Sequence, residues 1–223
     1  MKLVREKNRL TIALIINLLI VFFESIALFQ TFITKEGGFN YSLFQYYTHY
    51  SNFFAFVACL YVSLEISKEV TGAIKRTRYT SRLFRFITVC MMTLTFFTVI
   101  LILIPMAGWS RWRNYLIENN FIFEHVLCPI LCFVSFAFFG DYRDFGKKEA
   151  LLSVIPTALY AIILTVLNVL NIVDGPFRFL RVHEQSVLVS VMWFILLVGG
   201  SYLIAIALLW IQKKIHVSEI RER

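Results

Sequence analysis

The chain has 223 residues, of which 59% are hydrophobic and 17% aromatic, while only 16% are charged, for a formal net charge of +8. So apolar a composition excludes both a water-soluble globular domain and a disordered chain, since neither can hold that much apolar surface without lipid as a solvent. The positive balance does not call for nucleic acid, because the basic residues gather in short segments between apolar runs, where membrane topology accounts for them.

Six apolar runs come near the roughly 20 residues that cross about 30 Å of hydrocarbon as a helix. They predict transmembrane helices near 10–34, 44–66, 84–105, 119–139, 150–171 and 187–211. The expected fold is therefore all-α, a single six-helix membrane bundle over 1–223 with no room for a soluble domain. The first run is too long for a signal-peptide core and lacks a small-residue cleavage site, so it reads as a retained span. Most of the 22 lysines and arginines fall before the first run, between the second and third, between the fourth and fifth, and in the tail. By the positive-inside rule both termini are expected in the cytoplasm, with the bundle in the plasma membrane.

Within the first run, Glu24 is an acid near mid-membrane, where it is expected to need a partner. The second opens with "FQYYTHYSNFFAF" (Phe44 to Phe56), an unusually polar stretch for a membrane helix. Helical spacing places Gln45, Thr48, Asn52 and Cys59 on one face, with Ser51 beside them, and that face is expected to look into the bundle. Such residues most often serve as interhelical hydrogen-bonding glue. His49 lies about 100° around the helix from Thr48, and Tyr46, Tyr47 and Tyr50 suit an aromatic belt. A belt is also expected at Trp109, Trp112 and Tyr115, between the third and fourth runs.

In the fourth run, His125 sits at about the same depth as Thr48, so the two are expected to share one level of the bundle. Glu124 precedes it and is expected to point off its face. His125, Cys128 and Cys132 share a helical face that could hold a soft metal, but without a fourth ligand these cysteines read as packing residues. No metal or cofactor is expected. All four cysteines fall inside predicted spans, which argues against a disulfide framework.

After the fifth run, "DGPFRFLRVHE" breaks the helix at Gly175-Pro176 and supplies Arg178, Arg181 and His183, a loop placed to hold a carboxylate or to lie at the interface with snorkelling arginines. In the sixth, Gly199-Gly200-Ser201 would permit close helix approach.

The segments "YYTHYSNFFAF", "NNFIFEHVLCPILCFVSFAFF", "PTALYAIILTVLN" and "DGPFRFLRV" resemble the androgen-induced membrane protein family and its bacterial six-helix relatives. Animal members of that family are intramembrane threonine hydrolases of fatty acid esters of hydroxy fatty acids. The resemblance covers nearly the whole chain in topology and rests on short motifs. It implies a bacterial protein in which Thr48 is the nucleophile and His125 its base, with membrane lipids and a lipid-like ester as partners. A threonine hydroxyl needs such a base to attack an ester carbonyl. Asn52, Ser51 or a tyrosine would stabilise the developing oxyanion, Glu24 could orient His125, and His49 could itself be the base. A lipid acyltransferase on the same scaffold, a small-molecule capture or transport subunit, and a purely structural membrane protein stand as alternatives.

Overall fold

The fold comes from a computed structural model, which describes residues 2–33 and 38–221. It is all-helical: α1 (Lys2–Phe32), α2 (Tyr47–Val70), α3 (Tyr79–Ala107), α4 (Ile122–Phe139), α5 (Lys147–Val169) and α6 (Val187–Arg221). Five of these, all but α2, are long and apolar enough to cross a membrane. The predicted span at 44–66 falls on α2, whose 24 residues have the length. Its polar opening and its acids make it less apolar than the rest.

Most helices run beyond the predicted spans. Hydropathy detects only the apolar stretch, whereas backbone hydrogen bonding carries a helix on through polar turns outside the hydrocarbon. Other ends fall short by two or three residues, and at the start of the second span Tyr41–Gln45 forms a separate 3-10 turn. Gln45 therefore does not share the α2 face expected of it, and its carbonyl instead accepts a hydrogen bond from the Tyr160 hydroxyl at 2.7 Å.

The central helix is α3, which packs on α2, α4, α5 and α6, while α1 packs on α2 and α4. Two helices widen into π-helical turns, α3 at Val99–Leu103 and α4 at Ile122–Leu127 and again at Ser135–Phe139. Proline explains the first two. Pro105 and Pro129 lack the N–H that would bond the carbonyl four residues back, and their rings crowd that carbonyl, so the turn over Leu101 and the turn over His125 must open.

One end of the bundle is tied by ion pairs. Arg82 donates from both Nη atoms to the Asp144 carboxylate, at 2.6 and 2.8 Å, and from Nη1 to the Asp141 carbonyl. Arg76 reaches Asp141 and Asp144, each at 3.1 Å. At the same end Arg9 of α1 and Gln212 of α6 both donate to the Gly140 carbonyl. The 71–78 and 140–146 connections thus meet α1 and α6 at a basic end, and the other connections form an aromatic end.

The hydrogen bonds from Arg82 hold the Asp144 carboxyl well below the usual carboxylate range. Asp141 is also lowered: burial opposes its ionisation, but the bonds from Arg143 and the charge of Arg76 outweigh it. A depressed carboxylate stabilises the fold fully above its unfolded pKa of about 4 and loses that contribution as pH falls further. Asp144→Asn is expected to destabilise the protein by about 1–2 kcal/mol at pH 7, since Arg82 is left nearly buried with a neutral partner while Asp144 itself is solvent-screened. Thermal unfolding at pH 7 and pH 3 checks this, with the difference from wild type shrinking at the lower pH.

Candidate functional site

At the aromatic end, α2 and α4 both run inward from their first residues, and they pack on each other where α4 is wide. Thr48 is the second residue of α2 and His125 the fourth of α4, so both lie within about 5 Å of their helix starts. Both are buried, at 8% and 5% exposure. No hydrogen bond joins the two side chains.

Each member of the pair has a definite state. The Thr48 hydroxyl bonds no described residue, whereas its carbonyl accepts hydrogen bonds from Ser51 Oγ and Asn52 Nδ2, both at 2.8 Å. His125 Nδ1 lies 2.6 Å from the Tyr115 carbonyl. A carbonyl can only accept, so Nδ1 carries the proton and the neutral ring keeps its lone pair on Nε2. Phe121 stacks on the imidazole with centroids 4.9 Å apart. The ring is therefore held by the 108–121 connection and by its own helix.

Several expected supporting roles are corrected. Tyr115, through its backbone, orients His125, and Glu24 does not. Glu24 is fully buried beside Cys128, Cys132 and Glu124, and neither of its carboxyl oxygens accepts a hydrogen bond. Ser51 and Asn52 steady the Thr48 backbone, and Ser51 Oγ also meets Thr95 Oγ1 at 2.9 Å. The single Ser51 proton is committed, whereas Asn52 Nδ2 keeps a second N–H. Tyr47 is not a belt residue, because its hydroxyl meets Thr157 Oγ1 at 2.7 Å and links α2 to α5.

His49 turns inward, with its Nδ1 3.7 Å from Glu124 Oε2. It is also an electrostatic neighbour of His125. Glu124, which helical spacing set aside, is fully buried and accepts hydrogen bonds at Oε1 from Thr31 at 2.9 Å and from Asn120 at 2.5 Å. The open turn at Ile122–Leu127 rotates it away from where 100° per residue would place it. An acid inside a membrane helix was the one sequence signal that could have included it.

The 173–185 loop is folded on itself. Arg181 donates to the Gly175 carbonyl and pairs with Glu184. His183 Nε2 donates to the Asn168 carbonyl, and Asn168 Oδ1 takes the Val182 N–H. Of the three loop residues expected to hold substrate, only Arg178 is exposed without such a bond. The loop still reaches the site, because Phe177 packs edge-on to Tyr46 and Tyr46 edge-on to His49. Gly175 permits this fold, since a Cβ there would meet the Leu180 backbone at 2.7 Å.

Gly199 and Gly200 do not mediate close approach, as a Cβ at either would meet open space. Ser201 beside them makes the contact, 3.4 Å from Thr157. Among the described residues no group of three His, Cys, Asp or Glu is placed to hold a metal. An almost wholly apolar groove of about 360 Å³ between α3, α4 and α6 is lined by Phe96, Phe97, Ile130 and Phe133 among others, and by none of the predicted site residues. Compared with known protein families, with curated proteins and with solved structures, the chain matches none.

Proposed function

We propose that this chain is an intramembrane ester hydrolase that acts on lipid-like esters, such as fatty acid esters of hydroxy fatty acids, through Thr48 and His125. In this reading all six helices cross the plasma membrane of a bacterium, with the basic end and both termini in the cytoplasm. The meeting of α1, α6 and the two basic connections at one end supports that orientation, and the motif resemblance supports the reaction class.

The observation that carries the proposal is the tautomer of His125. Its Nδ1 proton is held by the Tyr115 carbonyl, which leaves Nε2 as a proton acceptor on the α4 turn that packs on α2, where the Thr48 hydroxyl bonds no described residue. Catalytic hydrogen bonds are often long or absent before substrate binds, so a small closing movement of the open α4 turn would complete the pair. Thr48 Oγ1 then attacks the ester carbonyl as Nε2 takes its proton. Collapse of the tetrahedral adduct breaks the bond to the alkoxide, which receives that proton. Water, deprotonated by the same nitrogen, cleaves the acyl-threonine and returns the free acid. The shallow depth admits an acyl chain from lipid and water from outside.

A second reading has its own observation. His49 adjoins Thr48 in the chain and faces Glu124, an acid that could orient it as the base. The two readings differ in which histidine is indispensable.

The test is release of free acid from a panel of fatty acid esters by the purified protein in neutral detergent, with acid quenching to trap an acyl adduct. The expected result is turnover and an acyl group on Thr48. Transfer of that group to an added alcohol in preference to water would mark an acyltransferase. Tight ester binding without turnover or adduct would overturn the enzyme reading in favour of a capture subunit.

A further inference from the structure

The basic end holds a second feature, independent of ester hydrolysis. Arg85, in the central helix, is 1% exposed. Its Nε donates to Asn17 Oδ1 at 3.0 Å. Its Nη1 and Nη2 are buried and have no hydrogen-bond partner. The sulfurs of Cys59 and Cys132 flank the group. A guanidinium does not shed its proton in a protein, so this is a permanent positive charge removed from water, with one neutral amide as hydrogen-bond acceptor and two cysteine sulfurs beside it but no carboxylate paired with it. Few arrangements inside a membrane bundle are as costly.

Arg85 and Asn17 line a cavity of about 70 Å³ that also touches Arg82, Ser135 and Tyr142. That is about twice the ~30 Å³ share of one water in the liquid, which suits a single oxyanion group. The cavity reaches the surface at Glu6 and Arg76, both exposed. The other acids on its lining are engaged elsewhere: Glu69 accepts from the Thr77 N–H and hydroxyl at 2.6 and 2.7 Å, and Asp141 is held by Arg76 and Arg143. None of the described carboxylates is paired with Arg85: Glu6 stands exposed at the mouth, and the unbonded Glu24 carboxyl is off the cavity lining. The two outer nitrogens of the Arg85 fork match the paired oxygens of a carboxylate or phosphate.

We propose that the Arg85 cavity is a binding site for one oxyanion group, a carboxylate or phosphate, entering from the basic end. Asn17 holds the guanidinium in place, and Ser135 and Tyr142 also line the cavity.

Thermal unfolding of the full chain in neutral detergent tests this at constant ionic strength. Inorganic phosphate or acetate replaces chloride in one arm, and dioleoyl phosphatidic acid replaces the phosphatidylcholine of mixed micelles in the other. Wild type is expected to show a saturable rise in midpoint of about 3–6 °C at ten times the half-saturating concentration. A rise with the free anions identifies a soluble ligand, and a rise with phosphatidic acid alone identifies a lipid headgroup. Arg85→Gln and the cavity-filling Ser135→Leu are expected to lose the rise. Asn17→Ala, which keeps the charge but unpins it, is expected to weaken binding about threefold or more and serves where the other variants do not fold. No saturable rise for wild type in either arm, a full rise in Arg85→Gln, or unchanged affinity in Asn17→Ala would overturn the proposal.

Discussion

Thr48→Ala is expected to lower kcat on a fatty acid ester by about 10⁴-fold or more, with KM nearly unchanged and the protein still folded. Removing a nucleophile takes away the covalent route, and the residual rate then comes from binding and polarisation alone. KM should hold because the hydroxyl is small and makes no contact that positions substrate. Stability should change by less than about 1 kcal/mol, since the Thr48 hydroxyl bonds no described residue and its backbone contacts survive the substitution. That combination separates a nucleophile from interhelical glue, which would lose stability first and activity only in step with it.

His125→Ala should match the activity loss and cost about 1–2 kcal/mol as well, because it removes the bond to the Tyr115 carbonyl and the stack on Phe121. His49→Ala is the control for the second reading. If it is inert and His125→Ala retains turnover, the base is His49 and the Glu124 contact is its orienting partner.

Phe86→Ala is expected to destabilise the bundle by about 2–3 kcal/mol while leaving kcat unchanged, as read by thermal unfolding and by the ester assay. Phe86 is fully buried in the central helix. Its ring lies 5.6 Å from that of Phe136 and 5.8 Å from that of Phe145, and Tyr142 joins them, 4.5 Å from Phe136. In lipid the transfer of a ring from solvent to core contributes little, because acyl chains are as apolar as the core. What remains is the void: about 100 Å³ left unfilled at ~24 cal/mol per Å³ gives the expected cost. The cluster sits at the basic end, so Thr48 and His125 should be untouched.

The polar stretch that opens α2 shows how far a sequence can be read. Its alternation of Thr48, Ser51 and Asn52 with aromatic residues was enough to expect an inward polar face, because helical periodicity and the cost of polar groups in lipid leave few other solutions. Their partners were not legible. Ser51 and Asn52 turn back onto the Thr48 carbonyl, a local choice that competes with reaching across the bundle. The inward turn of His49 depends on where α4 places Glu124. That placement depends on a wide turn above Pro129, which shifts every residue from Ile122 to Leu127 off ideal spacing.

Composition and apolar run lengths by themselves determined an all-helical chain with long apolar helices fit for a membrane and a polar opening to α2. These follow from the thickness of a bilayer and the period of a helix, and both act locally along the chain. Only the tertiary structure decided that Tyr115 sets the His125 tautomer, that Glu24 stands without a hydrogen bond, and that Arg85 faces a cavity with its outer nitrogens unmet. Each of these depends on which groups from distant segments come within about 3 Å of one another, a matter of helix packing and open turns that no local pattern encodes.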